Sequence, residues 1–294
     1  MMVAIGKGFR RAARALGLIL ALSLGTAAAQ ADTYPAWQAY ERGDYALALQ
    51  LFEPLARAGD ADAQYGMALL LSDGLGVPQD RTAAVHWLEQ AAAQGHDQAM
   101  VNLGFHIDLG LGVPRDRDLA EQWYAQAAQM GNLMARNNLA YMWALDRRNL
   151  DEALRIMRDV VALAPHESSY LDTLGWVYYQ MGRFQEAVGP ICDAVTLDPG
   201  HPELRAHLGD VYWQLGRSFD AQYQWQRGLD LLSAPEALSE TGADFAEGLG
   251  AEIAAGLQQR LRNGLPYEEH SPGAAGQAES LSPSLPDECS IPVA

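Results

Sequence analysis

The side chains that could carry out chemistry are scattered along the chain, without the familiar catalytic or metal-binding spacings. Seven histidines occur without an H-x-x-x-H or H-E-x-x-H pair, and no G-x-S-x-G turn supplies a nucleophilic serine. Asp and Glu outnumber Lys and Arg by 37 to 20, but they are spread out, as is typical of a solvated acidic surface. The sequence therefore indicates no reaction, no cofactor and no metal site, and it predicts a protein that is not an enzyme.

Two loops, at residues 74–78 and 110–114, share the sequence Gly-Leu-Gly-Val-Pro. A glycine loop of this kind can hold a phosphate when it follows a strand and leads to a lysine. Neither loop has such a strand or lysine. We therefore interpret the glycines as turn residues with positive φ angles that space neighbouring helices.

The chain has two cysteines, Cys192 and Cys289, which are too few for a disulfide-stapled fold. An oxidising compartment would permit one bond between them. The alternative is a buried thiol at position 192 and a free thiol near the C-terminus. The sequence does not give the distance between the two sulfurs, so both states stay open.

The first 31 residues have the pattern of a secretory signal peptide. Four basic residues precede an apolar run at 15–24, and Ala29-Gln30-Ala31 predicts cleavage after Ala31. A retained membrane anchor is the alternative, but the apolar run is shorter than the roughly 20 residues that span a membrane. We therefore expect a periplasmic protein that is not inserted in a membrane after cleavage.

The net charge limits the kind of partner. Cleavage removes four positive charges and no negative charge, so the formal charge of −17 becomes about −21. Binding to a phosphate backbone needs clustered Lys and Arg, so nucleic acid is excluded as a partner. Anionic membrane surfaces are disfavoured for the same reason.

The elements that must position any binding side chain are helices arranged in repeats. Residues 61–96 align with residues 97–132 at an offset of 36, and the chain is rich in Ala, Leu, Gln and Glu, which favour helix. The coincident pairs are Gly74 and Gly110, Gly76 and Gly112, Val77 and Val113, Pro78 and Pro114, Asp80 and Asp116, Trp87 and Trp123, and Gly95 and Gly131. The pattern predicts an all-α fold of stacked helix pairs.

These motifs resemble Sel1-like repeats, which are helix-loop-helix units, over roughly residues 34–142. The residues that carry the resemblance include the Gly-Leu-Gly-Val loops and both tryptophans. We expect Asp80 and Asp116 to cap the helices that follow them, and Trp87 and Trp123 to lie in the core between repeats.

From Ser168 onward the period shortens to 34 residues and the pattern is similar to tetratricopeptide repeats. The matching residues in one unit are Leu174, Gly175, Tyr178, Gly182, Phe184, Ala187, Ile191, Ala194 and Pro199, and in the next Leu208, Gly209, Tyr212, Gly216, Ala221 and Trp225. We divide the mature chain into Sel1-like repeats at 32–132 and tetratricopeptide-like repeats at 133–233. The resemblance implies one right-handed superhelix of antiparallel helix pairs, and a hinge near 146–149 is the alternative.

After residue 233 the pattern changes again. Phe245, Leu249, Ile253, Leu257 and Leu261 recur every four residues, which predicts a capping helix within residues 234–264 that covers the last repeat. A membrane-surface helix is the alternative, but the polar face is not basic. Residues 265–294 are rich in Pro, Ser, Gly and Glu, and we predict a disordered tail.

The tetratricopeptide resemblance also implies a concave groove that binds partner segments. Because its groove positions hold acidic and aromatic residues here, the partner segment should carry Arg or Lys beside apolar residues. The implied partner-binding residues are Tyr141, Asp172, Trp176, Tyr179, Asp210, Trp213 and Gln214. The alternative is that these aromatic side chains pack against neighbouring helices and leave no groove.

The function predicted from these observations is a periplasmic scaffold or adaptor for protein partners. The alternative is a cell-wall-related enzyme or a binder of β-lactams or peptidoglycan fragments, because some exported Sel1-like proteins have such activities. Those relatives carry a cysteine pair in each repeat, and residues 34–142 contain no cysteine. The scaffold is therefore the preferred prediction.

Overall fold

The computed structural model describes residues 32–233 and 243–265 of the 294-residue chain. The predicted signal peptide, the tail from residue 266 and Cys289 lie outside these ranges. The described residues form thirteen helices and no strand, so the predicted all-α fold class is confirmed. None of these helices combines the length and apolarity needed to cross a membrane.

In chain order the helices are α1 Tyr34–Glu41, α2 Tyr45–Arg57, α3 Ala61–Asp73, α4 Arg81–Ala93, α5 Asp97–Leu109, α6 Arg117–Gln129, α7 Leu133–Leu145, α8 Leu150–Leu163, α9 Ser168–Gln180, α10 Phe184–Leu197, α11 Pro202–Gln214, α12 Ser218–Ser233 and α13 Ala243–Asn263. They belong to two compact units whose boundary lies between Ala135 and Arg136, within α7. The N-terminal unit contains α1–α6, and the C-terminal unit contains α8–α13.

Glycines on the first helix of a pair allow the second helix to pack closely. A Cβ atom at Gly104 would lie 2.8 Å from the Tyr124 ring, so α5 and α6 can meet only because that atom is missing. The same relation joins α9 to α10, where a Cβ at Gly175 would lie 2.3 Å from Ile191. The close packing of α9 on α10 therefore depends on Gly175 in the same way.

The glycine-rich loops lie against the preceding helix pair. Gly76 has a φ of +69°, and a Cβ there would lie 2.8 Å from the carbonyl carbon of Tyr45 at the start of α2. One repeat later, Gly112 has a φ of +75° and a Cβ would lie 2.4 Å from the carbonyl carbon of Arg81 at the start of α4. The loops thus set the contact between successive pairs.

The predicted helix caps are confirmed, whereas the predicted core tryptophans need a correction. Asp80 accepts a hydrogen bond from the Ala83 N–H at 2.9 Å, and Asp116 caps α6 in the same way. Trp87 and Trp123, however, are only half-buried. The fully buried large residues are their neighbours Leu88 and Tyr124, one step further round each helix, although Trp87 still packs against the core formed by α1–α3.

Candidate partner-binding site

The seven residues that the sequence assigns to partner binding lie on α7, α9 and α11 of the C-terminal unit, and we call this set the inner face. Its members are Tyr141, Asp172, Trp176, Tyr179, Asp210, Trp213 and Gln214. The first five are at most 8% exposed. The last two, at the C-terminal end of α11, are half-buried. Their role in partner binding stays a prediction.

A buried ion pair joins α9 to α11. The Nδ1 atom of His207 donates to both carboxylate oxygens of Asp172, at 2.9 and 3.0 Å. Burial alone would lower the pKa of His207, but the charge and hydrogen bond of Asp172 outweigh it and raise that pKa. Burial likewise opposes ionisation of Asp172, and His207 outweighs it, so the pKa of Asp172 is lowered. Both shifts favour the charged pair.

Aromatic stacking continues from this ion pair. The Trp176 ring lies between the His207 ring, at 4.1 Å and an interplanar angle of 20°, and the Tyr179 ring, at 4.6 Å and 7°. A protonated imidazole gains energy from such stacking because the indole face carries partial negative charge. The three rings therefore fix one another in place along the inner face.

Tyr141 borders the same acidic region. Burial raises the pKa of its phenol well above the usual value, and the carboxylates of Glu203 and Asp172 add to the effect. The hydroxyl of Tyr141 is thus neutral at physiological pH. The α7 end of the inner face therefore presents a neutral phenol next to carboxylates.

Asp210 is the second buried carboxylate of the inner face. It accepts from Trp225 Nε1 at 2.9 Å, and the guanidinium of Arg260 on α13 donates to both of its oxygens, at 2.8 and 2.9 Å. Burial raises the pKa of Asp210, and the nearby Arg260 charge offsets this only in part. A planar guanidinium that donates to both oxygens is the strongest ordinary contact for a carboxylate.

Trp213 and its surroundings complete the site. Its Nε1 atom donates to the carbonyl of Leu265 at 2.7 Å, and its ring packs against the Trp225 ring with the centroids 5.5 Å apart. Gly264 lies directly over the Trp213 ring, where a Cβ atom would be only 2.2 Å away. The end of α11 is therefore covered by the segment that follows α13.

Two residues of this site, His207 and Arg260, are not among the partner-binding residues predicted from the sequence. In the sequence His207 is one of the scattered histidines. It follows Asp172 by 35 residues, one 34-residue repeat plus one, and this spacing places it on the first helix of the next pair. Arg260 lies in the last turn of α13, where a basic side chain is favourable to the helix dipole. The structure adds its ion pair with Asp210, which no local pattern indicates.

Histidines of the N-terminal unit have structural contacts. His96 caps α5 by accepting from the Ala99 N–H at 3.2 Å. His106 Nδ1 lies 2.9 Å from the Leu111 carbonyl, and its Nε2 lies 3.1 Å from the Ser72 hydroxyl. Within the described ranges, no three His, Cys, Asp or Glu side chains come together as metal ligands would.

Comparison with known families finds a match in the N-terminal unit. The Sel1 repeat family matches residues 38–60, 61–96 and 97–132, in register with the 36-residue period. Residues 38–132 are therefore similar to three consecutive Sel1 repeats. The tetratricopeptide character of residues 133–233 stays a prediction, and no match was found among curated proteins.

Solved structures of helical repeat proteins are similar to this chain. A Sel1 repeat protein from Oxalobacter formigenes is 19% identical and covers 76% of this chain and 96% of its own, with a TM-score of 0.55. A tetratricopeptide protein of Thermus thermophilus is 20% identical over 66% of this chain and 99% of its own, with a TM-score of 0.46. YrrB, described as a tetratricopeptide protein with an unusual peptide-binding site, is 17% identical over 65% and 93%, with a TM-score of 0.43. At 19% identity, the similarity to the first structure concerns the fold.

Proposed function

We propose that this chain is an exported, non-enzymatic scaffold that binds protein partners in the periplasm through the inner face. Stacked helical repeats support this role because they offer extended surfaces to which a partner segment can bind. The signal-peptide pattern of residues 1–31 supports export. Export predicts a mature protein that begins at Asp32, which mass spectrometry of the purified protein checks.

The contact between Arg260 and Asp210 of the same chain is the main support for this proposal. Asp210 receives this guanidinium in a bidentate contact, with the Trp213 and Trp225 rings beside it. The same surroundings would suit an arginine of another protein that has apolar neighbours, because the carboxylate pairs with the charge and the rings cover the apolar part. The partner class is therefore a protein segment that combines basic and apolar residues.

A single lysine at the edge of the inner face tests this proposal without removing a buried aromatic ring. Gln214 is half-buried at the end of α11, so Gln214→Lys places a positive charge where a basic partner would approach. We expect capture of partner protein from envelope extract by the mature chain to fall about tenfold, which corresponds to about 1.4 kcal/mol. The amount captured is measured by quantitative mass spectrometry.

Gln222→Lys is the matched control, because Gln222 is an exposed residue of α12 that lies outside the inner face. This substitution makes the same chemical change and should leave capture unchanged. Circular dichroism checks that both variants stay helical. Capture that is undiminished by Gln214→Lys in a folded protein would contradict binding at the inner face.

A further inference from the structure

The C-terminal helix α13 contacts its own chain through three consecutive features. Arg260 donates to both oxygens of Asp210. One turn earlier, Leu257 is fully buried and lies beside Gly228 of α12, where a Cβ atom would be 3.2 Å from the leucine side chain. Just after the helix, the Leu265 carbonyl accepts from Trp213. A leucine, an arginine and a backbone carbonyl, all between residues 257 and 265, thus hold α13 in place.

Over residues 250–263, the apolar part of this attachment is small. Among residues 250–263 of α13, Leu257 is the only one that is buried, and the rest are half-buried or exposed. In contrast, every residue of α9 from Ser169 to Tyr179 is buried. Detaching residues 250–263 therefore exposes far less apolar surface than disrupting an inner helix.

The ion pair between Arg260 and Asp210 can be replaced by a similar pair with another arginine. Forming a buried ion pair costs desolvation that cancels much of the attraction, so the pair holds α13 less tightly than its geometry suggests. The burial that raises the pKa of Asp210 is a sign of this cost. When Arg260 leaves, Asp210 keeps the hydrogen bond from Trp225 Nε1. The carboxylate therefore stays oriented for another guanidinium.

We propose that α13 is an internal ligand of the inner face, and that a partner helix with a leucine followed three residues later by an arginine replaces it at Asp210 and Trp213. This inference rests on the proposed function and specifies the partner's chemistry. Arginine is required because a lysine ammonium cannot donate in a planar fork to both oxygens. In the free protein α13 competes with the partner, so the partner's apparent affinity is lowered by the fraction of chains in which α13 is bound.

The test is the binding of a fluorescent peptide with the sequence of residues 250–265 to the full-length mature chain, followed by anisotropy. In the wild-type chain α13 competes with the peptide. In Arg260→Gln the competitor is weakened while Asp210 is retained, so we expect the peptide to bind at least tenfold more tightly. Replacing the peptide's own arginine at position 260 by lysine should reverse that gain.

Arg262→Gln is the matched control, because Arg262 is an exposed arginine in the same helical turn. It should bind the peptide as the wild type does. Equal peptide affinity in the wild type, Arg260→Gln and Arg262→Gln, or no binding to any of them, would overturn the internal-ligand proposal.

Hydrogen exchange of the wild-type chain gives a second measurement that needs no substitution. Detachment of α13 predicts that the amides of residues 253–263 exchange at least tenfold faster than those of α9 and α11. Equal protection of all three helices would show that α13 does not detach separately, and would also overturn the proposal. If these tests fail while Gln214→Lys still weakens partner capture, the proposed function stands and only the internal ligand is wrong.

Discussion

Asp172 and His207 are the residues whose chemistry most directly controls the stability of the inner face. The pKa of His207 is raised, so its contribution is complete below the unfolded value of about 6.5 and is lost as the pH rises through the folded value. The pKa of Asp172 is lowered, so its contribution is present above about 3.9 and is lost as the pH falls through the folded value. The pair therefore stabilises the fold most between about pH 4 and 6.5.

His207→Gln tests this pair. The substitution leaves the Asp172 carboxylate buried without its cation, and we expect a loss of about 3–5 kcal/mol in the free energy of unfolding near pH 5.5. The loss should shrink as the pH is raised toward 9, because the wild type then loses the charge of His207 as well. Urea unfolding at several pH values measures it. A loss that is independent of pH would contradict the ion pair. The control is His86→Gln at an exposed position, which should change the free energy of unfolding by no more than about 0.5 kcal/mol.

At the residue scale, the sequence predicted what depends on near neighbours. Asp80 and Asp116 were identified as caps because their bonding partners lie three residues ahead. Leu88 and Tyr124 are buried, and the adjacent tryptophans are not, because each residue along a helix is rotated by about 100° from the one before it. A repeat alignment marks which positions recur but does not give the angle at which two helices meet.

At the element scale, the glycine loops determine how one helix pair meets the next. Gly112→Ala requires a positive φ of +75° and places a Cβ 2.4 Å from the backbone of Arg81. Gly131→Ala requires a similar φ of +95° but meets no atom within 4 Å. The two substitutions therefore separate backbone strain from the close contact between pairs.

We expect Gly131→Ala to cost about 1–2 kcal/mol in the free energy of unfolding, which is the penalty for a left-handed residue that is not glycine. Gly112→Ala should cost about 1–3 kcal/mol more, because the two backbones must move apart. Thermal and urea unfolding of both variants measure the difference. Equal costs would show that the contact of Gly112 with the start of α4 does not determine how closely the loop at 110–114 packs there.

Periodic apolar residues predict the helices, including the one near the C-terminus. The contact of α13 with Asp210 did not follow, because Arg260 and Asp210 are fifty residues apart and occur in different patterns. The position of Arg260 in the last turn is explained locally by the helix dipole. A local explanation of this kind gives no information on a long-range ion pair, and only the packed structure supplies it.

In the molecule as a whole, the two units have different roles in the proposed function. The N-terminal unit matches the Sel1 repeat family over residues 38–132 and has structural histidines and capped helices. The C-terminal unit contains the inner face, with its two buried carboxylates and stacked rings. Export and the disordered tail depend on residues outside the described ranges and stay predictions. Cys289 also lies outside these ranges, so its pairing with Cys192 stays open.

Site-specific photo-crosslinking in cells shows whether a partner protein contacts the inner face. A photoreactive phenylalanine analogue is placed at Gln214 on the inner face or, in the control, at Phe219, which is 82% exposed on α12. We predict an adduct of one defined mass at position 214 and none of that mass at position 219. An adduct that forms at position 219 and not at position 214, in folded and exported protein, would show that the partner does not bind at the inner face.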